Sequence, residues 1–145
     1  MATSGVANMG RVTAEISLAN YRDIILAQDG VLSLEDVRRT KVSGIVDTGA
    51  ARLVLPQWVV DDLGLQSGGE TNVRYADHRG AKREIVRNVW LQLCGRESVF
   101  TAIVEPDRPD ALIGAIVLEE LDLIVDCTHN TVKPRDPSGI ISEIE

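Results

Sequence analysis

One carboxylate in this 145-residue chain stands in a setting that restricts the local fold. Residues 44–50 read Gly-Ile-Val-Asp-Thr-Gly-Ala, and a second apolar segment follows at residues 53–55. Asp, Thr and Gly are common in turns, so a plain strand-ending turn is one interpretation. The apolar flanks on both sides favour another, in which strands hold Asp47 at a tight turn as a candidate acid or base.

A second segment, residues 111–126, contains Leu112-Ile113-Gly114, then a short helical stretch and an apolar strand ending at Asp126. Together the two segments resemble the retropepsin-like aspartic proteases, the family of the retroviral proteases and many bacterial relatives. The resemblance spans residues 10–134. It implies an all-β, closed-barrel-like retropepsin fold with one short helix, in which the two segments pack against each other beneath an active site.

The resemblance also implies a function, an aspartic endopeptidase in which two carboxylates activate one water. Carboxylates about 3 Å apart share a proton, as is general for aspartic proteases. This chain has one such motif, so the second carboxylate is expected from a homodimer. The implied catalytic residues are Asp47, Thr48 and Gly49. The implied substrate-binding residues are Ala50, Ala51, Val54, Ala76, Asp77, His78, Ile113 and Gly114.

Several of these residues carry specific expectations. Thr48 would hydrogen-bond across the dimer axis, and Gly49 would leave room for substrate beside the carboxylate. Ala50 stands where many two-domain relatives have a Ser whose hydroxyl favours the ionised carboxylate, so we expect activity closer to neutral pH. Retroviral enzymes have Asp-Asp where Ala51 and Arg52 stand and Arg at the position of Ala115, which predicts a different support for the dimer.

Composition and charge restrict the partners. Net charge is −7 with a pI near 4.8, which argues against nucleic acid as a partner because phosphate binding needs a basic patch. The sequence has no apolar run of about 18 residues and no visible secretory signal, so we expect no membrane association and a cytoplasmic location. A protein or peptide substrate is expected, with no cofactor and no metal. Cys94, Cys127, His78 and His129 match no zinc spacing.

Two further interpretations concern the cysteines and the ends of the chain. Cys94 and Cys127 follow apolar strand patterns and are interpreted as reduced core thiols, although a disulfide stays open. Three regions are expected: a flexible N-terminus at 1–9, the protease domain at 10–134, and a tail at 135–145. The tail is either an intermolecular dimer strand or disordered.

The sequence pattern predicts many short strands and little helix. Strands are expected at residues 11–18, 23–28, 37–46, 71–76, 81–93, 97–105, 123–127 and 131–133. A helical turn at 56–63 ends at Gly64, and the one clear helix covers 115–121. The hairpin at 71–86 is predicted to be a flap that closes over bound peptide.

The same motifs leave two other functions open. The fold also suits a non-catalytic dimerising or peptide-binding module, because fold alone does not fix function. A binder has no need of a buried carboxylate pair, which favours the enzyme. A third alternative is a protease that acts only on its own precursor or on one partner.

Overall fold

The computed structural model describes residues 11–145, so the predicted flexible segment 1–9 lies outside the described residues. Within them are nine strands, three short α-helices and a 3₁₀ turn at Leu34–Asp36. The strands are β1 (Val12–Asn20), β2 (Arg39–Val46), β3 (Leu53–Pro56), β4 (Ser67–Arg74), β5 (Gly80–Leu93), β6 (Arg96–Glu105), β7 (Ala111–Ile113), β8 (Leu123–Asp126) and β9 (Thr131–Pro134). The helices are α1 (Tyr21–Gln28), α2 (Gln57–Leu63) and α3 (Ala115–Leu121).

Six of the strands close into a barrel. The order is β1-β2-β7-β3-β6-β5, and the second half of β1 pairs with β5 to complete the ring. The strand β4 lies outside the ring and pairs with β5, so that the two form a hairpin. The strands β8 and β9 form a separate two-stranded sheet. Closure pairs strands that would otherwise present open edges. The predicted all-β, closed-barrel fold is confirmed.

The core is built almost entirely from aliphatic side chains. β1 shows how the pattern works, because Val12, Ile16 and Leu18 alternate along it and all three are buried. Phe100 is the one aromatic residue in the core cluster of the described residues. Residues from the barrel strands, α2 and α3 meet in this cluster, and its largest fully buried members are Ile16, Leu18, Leu53, Leu55, Leu63, Leu91, Ile113 and Leu121.

The prediction of a single short helix was wrong, because the segment predicted as a strand at 23–28 belongs to α1. Asn20 begins this helix by accepting a hydrogen bond from the Asp23 amide at 3.2 Å. A short apolar run does not by itself distinguish strand from helix. The capping Asn was the available signal for a helix.

The other two helices follow the sequence closely. The turn predicted at 56–63 is the helix α2, and it ends at Gly64, whose φ of 60° is left-handed. Glycine adopts that conformation without the strain a Cβ brings. α3 covers the predicted residues 115–121.

The prediction that both cysteines are core thiols was wrong, because Cys94 and Cys127 are exposed; both are free thiols. Cys94 and Gly95 form the two-residue turn between β5 and β6, with φ values of 55° and 74°. A two-residue turn of this type has left-handed backbone at both positions. Because the turn lies at the end of the hairpin, the Cys94 side chain is exposed. Cys127 directly follows the last residue of β8.

The C-terminal tail lies against the body of the domain without forming helix or strand. The Arg96 guanidinium donates to the carbonyls of Leu121, Asp122 and Asp136, and the Ile141 amide donates to Asp122 Oδ2 at 3.1 Å. Three isoleucines of this segment are exposed: Ile140, Ile141 and Ile144. A role for the tail in a dimer stays a prediction.

An ion pair between the buried Asp23 and the exposed Arg38 joins α1 to the segment leading into β2. Asp23 is 5% exposed, and its carboxylate accepts the Arg38 amide at 3.0 Å, Nε at 2.8 Å and Nη2 at 3.0 Å. The hydrogen bond from the Arg38 side chain holds the pKa of Asp23 below its usual value, although burial opposes this shift. The pair fixes α1 against the barrel.

We predict that Asp23→Asn destabilises the fold in a pH-dependent way. Because the folded-state pKa of Asp23 is depressed, its stabilisation is present above the unfolded pKa of about 3.9 and is lost as pH falls through the folded value. The free energy of unfolding at neutral pH should fall by about 1–3 kcal/mol. Urea unfolding across this range is the measurement, with the exposed Asp29→Asn as the matched control. A difference between wild type and variant that is independent of pH would contradict the assignment.

Candidate active site

Asp47 stands where β2 ends, and strand pairing positions it. β2 runs parallel to β7, with Gly44, Ile45 and Val46 opposite Ala111, Leu112 and Ile113. The pairing continues into Asp47, whose amide donates to the Ile113 carbonyl at 3.1 Å. The backbone that carries the carboxylate is therefore part of the barrel.

A tight turn follows and orients the side chain. The Gly49 amide donates to Asp47 Oδ1 at 2.9 Å, and the Ala50 amide donates to the Asp47 carbonyl at 3.1 Å. A Cβ at Gly49 would lie 3.1 Å from Oδ1, so a side chain would crowd the carboxylate. Asp47, Thr48 and Gly49 are all exposed in the single chain. The turn thus holds the carboxylate open to solvent.

The N-terminus of α3 packs directly beneath this turn. The Ala115 amide donates to the Ala50 carbonyl at 2.8 Å, and the Ile116 amide donates to the Ala51 carbonyl at 3.0 Å. A Cβ at Gly114 would meet the Arg52 carbonyl at 2.2 Å, so the close approach requires glycine. The expected packing of Leu112-Ile113-Gly114 against the Asp-Thr-Gly loop is observed.

The residues predicted to form substrate pockets differ in exposure. Ala51 is exposed and Ala50 is half-buried, and both belong to the turn. Val54 is 8% exposed and Gly114 is buried beneath the turn. Ile113 has no accessible surface in the single chain, and its side chain fills the core. Ile113 therefore contacts the site through its backbone carbonyl, which accepts the Asp47 amide, and not through its side chain.

The β4–β5 hairpin forms at the predicted place and carries three predicted residues at its tip. Ala76, Asp77 and His78 are exposed in the turn, which is closed by the Tyr75 amide donating to the Arg79 carbonyl at 2.9 Å. The Arg79 amide and guanidinium both donate to Asp77, and they lower the pKa of that carboxyl. These hydrogen bonds join residues of the tip to one another and stabilise its conformation.

A cluster that the sequence analysis missed ties this hairpin to the barrel. The Tyr75 hydroxyl donates to Glu105 Oε2 at 2.5 Å, and Arg83 Nε donates to Oε1 at 2.7 Å. The guanidiniums of Arg79 and Arg83 lie 5.4 and 5.9 Å from the centre of the Tyr75 ring. The bond to Glu105 raises the pKa of Tyr75. No sequence pattern links positions 75 and 105, because the contact depends on how the hairpin folds back.

Asp126 and His129 have a structural role at the end of β8. Asp126 ends β8, and its carboxylate accepts the Thr128 and His129 amides and His129 Nδ1. The contact with His129 lowers the pKa of Asp126 to about 2.

Among residues 11–145, no group of three or more His, Cys, Asp or Glu side chains is arranged to hold a metal ion. In the same residues, no helix is long and apolar enough to cross a bilayer.

Comparison with known proteins agrees with this geometry. The aspartyl protease family matches residues 32–117, more than half of the chain, so the chain belongs to the aspartyl protease family. Among solved structures, the chain is similar to the EIAV protease complexed with the inhibitor HBY-793, at a TM-score of 0.52 and 18% identity, covering 77% of this chain and 88% of that one. Comparison with the curated proteins gives no match.

The family and the fold together define a retropepsin-like aspartic protease and support a protease-like function. The family match includes the turn at Asp47, the hairpin tip and the Leu-Ile-Gly segment.

We predict that Gly114→Ala destabilises the protein because its Cβ overlaps the Arg52 carbonyl. Separating the two backbones would also weaken the bonds from the α3 amides. The free energy of unfolding is expected to fall by about 1–3 kcal/mol. Thermal and urea unfolding would measure it, with Gly80→Ala as the control, since the nearest atom to a Cβ there is Val73 O at 3.6 Å. Equal stability of the two variants would refute the packing argument.

We predict that Tyr75→Phe loosens the hairpin. Loss of the bond to the partly exposed Glu105 should cost about 1 kcal/mol, so amide exchange at residues 75–80 should accelerate roughly fivefold. Hydrogen–deuterium exchange is the measurement. The matched control is Tyr21→Phe on α1, which removes a hydroxyl outside the hairpin. Unchanged exchange in the hairpin would show that the Tyr75–Glu105 bond does not hold it.

Proposed function

We propose that the protein is an aspartic endopeptidase that acts as a homodimer, with Asp47 supplied once by each subunit. The observation that carries this proposal is the exposed Asp47 carboxylate, fixed by the Gly49 amide in a turn that rests on α3. A carboxylate held this way does not neutralise a cation of its own chain within residues 11–145, because it forms no ion pair there. It is therefore available for chemistry.

The proposed chemistry needs two carboxylates and one water. One carboxylate takes a proton from the water while the other donates a proton to the peptide carbonyl oxygen. Water oxygen then attacks the carbonyl carbon, and the leaving amine receives a proton as the C–N bond breaks. Two carboxylates in contact share one proton, which divides the acid and base roles between them. A two-fold axis through the Asp47 turn would produce this pair.

The neighbouring residues have proposed roles that agree with their positions. Thr48 is exposed beside Asp47, which suits a hydrogen bond across the axis, and Gly49 leaves space at the carboxylate. Substrate would lie extended beneath the β4–β5 hairpin and pair with backbone groups as an added strand. Ala76, Asp77 and His78 at the tip would contact it from one side, and Ala50 and Ala51 from the other.

The remaining assignments are also proposals. The partners are a second copy of the chain and a protein or peptide substrate, and the location is cytoplasmic. Gly114 packs against the turn, and Val54 pairs with Leu112 on β7. Both residues are buried, so they would affect substrate mainly by shaping the turn. Ile113 would contribute through its carbonyl bond to Asp47.

The competing function is a module of the same fold that binds peptides without cutting them. It needs an extended groove but no pair of carboxylates. The two proposals therefore differ in what happens when Asp47 is made neutral. A binder should tolerate that change, whereas the enzyme should lose its chemistry.

The test compares wild type, Asp47→Asn and the matched control Asp62→Asn, which removes an exposed carboxylate on α2. Each is incubated with an unstructured protein between about pH 4 and pH 7.5, and fragments are identified by mass spectrometry. We expect cleavage by wild type and Asp62→Asn, with at least roughly a thousandfold loss in Asp47→Asn. At dilutions where the dimer dissociates, the rate should rise with the square of protein concentration.

Two other results would decide against parts of the proposal. Cleavage that Asp47→Asn retains would exclude the assigned carboxylate. A dimer in ultracentrifugation that binds peptide equally well in all three forms and cleaves none would favour the binding module. Cleavage proportional to the first power of concentration at every dilution, by a protein that sediments as a monomer, would exclude the shared site.

A further inference from the structure

We propose that a cavity at the base of the β4–β5 hairpin binds a small oxyanion, a phosphate or carboxylate group, separately from the Asp47 site. This hairpin-base cavity has a volume of about 260 Å³. Its lining is mostly polar and charged and comes from α1, the segment before β2, the segment after α2, β4 and β5, among them Arg22, Arg38, Gly68, Arg87 and Asn88. The size suits a small ligand.

The lining of the hairpin-base cavity is positively charged. Three guanidiniums line one cavity on a chain whose net charge is −7. The carboxylate in the same cavity, Asp23, is already paired with Arg38 through two side-chain hydrogen bonds. Within residues 11–145, neither Arg22 nor Arg87 forms an ion pair. With three arginines and one aspartate, the residues that line the cavity carry a net charge of +2.

Within residues 11–145, the hydrogen bonds of Arg22 and Arg87 use only some of their N–H donors. Arg22 Nη1 donates to Gln66 Oε1 at 2.7 Å, and Arg87 Nη2 reaches the Gly68 carbonyl at 3.4 Å. A guanidinium has five N–H donors in a planar fork, so each arginine retains several of them. That fork matches the paired oxygens of a carboxylate or a phosphate. An oxyanion bound by both groups would offset most of their charge if it is a phosphate and about half of it if it is a carboxylate.

The backbone is irregular on two adjacent strands at this cavity. The β4–β5 ladder shifts register between Ser67 and Glu70, and the β5–β6 ladder shifts between Val86 and Val89. Bulges re-aim side chains and are frequent beside binding sites. Here they include Gly68, Arg87 and Asn88, which all line the cavity.

Two glycines allow the arginines to lie close to the walls. A Cβ at Gly64 would meet Arg38 Nη1 at 1.9 Å, and a Cβ at Gly68 would meet Arg87 Nε at 2.7 Å. The polar floor is ordered as well, because Asn20 is 4% exposed and its Nδ2 donates to the Leu63 carbonyl at 2.8 Å. Arg38 is held by its ion pair with Asp23, and Arg87 lies against Gly68, which lowers the entropic cost of ordering these two side chains around a ligand.

The cavity and the Asp47 turn lie at opposite ends of the same strand. β2 begins at Arg39, next to Arg38, and ends at Val46, next to Asp47. Nine residue steps of extended chain span roughly 30 Å. The inference therefore stands independently of the proposed protease activity.

The test is a titration of the ¹⁵N-labelled full chain with inorganic phosphate and, separately, succinate, at ionic strength held constant with sodium chloride. We expect saturable shifts of the Gly68, Arg87 and Asn88 amides with at least one of the two anions. Response to phosphate alone identifies a phosphate site, and response to succinate alone identifies a carboxylate site. Absence of saturable shifts with both anions would overturn the inference.

Variants make the result specific to the two arginines. The double variant Arg22→Gln/Arg87→Gln should bind at least about tenfold more weakly, while the control Arg74→Gln on β4 should bind as wild type does. Arg87→Lys keeps the charge but lacks the fork, so it should weaken binding less than Arg87→Gln and remains informative if the double variant unfolds. Undiminished binding by folded Arg87→Gln and Arg22→Gln would overturn the inference.

Discussion

The close contact between Gly114 and the turn after Asp47 is the constraint on which the rest of the site depends. Without a Cβ at residue 114, the start of α3 approaches the backbone of residues 50–52, and two helix amides are satisfied by carbonyls of the turn. The first amides of a helix otherwise lack partners. The same segment, through the Ile113 carbonyl, holds the Asp47 amide. One short stretch of chain thus fixes both sides of the carboxylate.

The barrel brings that contact about by long-range pairing. β2 and β7 are parallel, so the ends of both strands reach the same edge of the sheet and place the Asp47 turn beside Gly114. The hairpin that would cover this edge is itself held at two places. Its tip is tied to β6 through Tyr75 and Glu105, and its base is formed by bulged segments of β4 and β5. Ordered attachments of this kind limit how the hairpin moves relative to the barrel.

Charges are distributed unevenly over an acidic chain. Asp23–Arg38 and Glu105–Arg83 are pairs that join separate elements, whereas Asp47 has no cationic partner within the described residues. The hydrogen bond from a backbone amide orients Asp47 without adding a charge. Within residues 11–145, Asp47 at one end of β2 and the guanidiniums of Arg22 and Arg87 near the other form no ion pair, so the described part of the molecule has two chemically different surfaces.

The sequence by itself determined the strands with clear alternation, the turn between β4 and β5, the helices that end at Gly64 and Asp122, and the identity of the motif around Asp47. Local pattern suffices there because backbone preference and burial agree over short spans. For the apolar run at 23–28 the local signals conflict, and the tertiary structure decided for the helix that Asn20 caps. The tertiary structure alone decided that Cys94 is exposed and that Ile113 faces the core. It also decided the Tyr75–Glu105 contact and the grouping of Arg22, Arg38 and Arg87, because each joins residues far apart in the chain. Closure of the barrel places such residues together, and no local pattern records which of them meet.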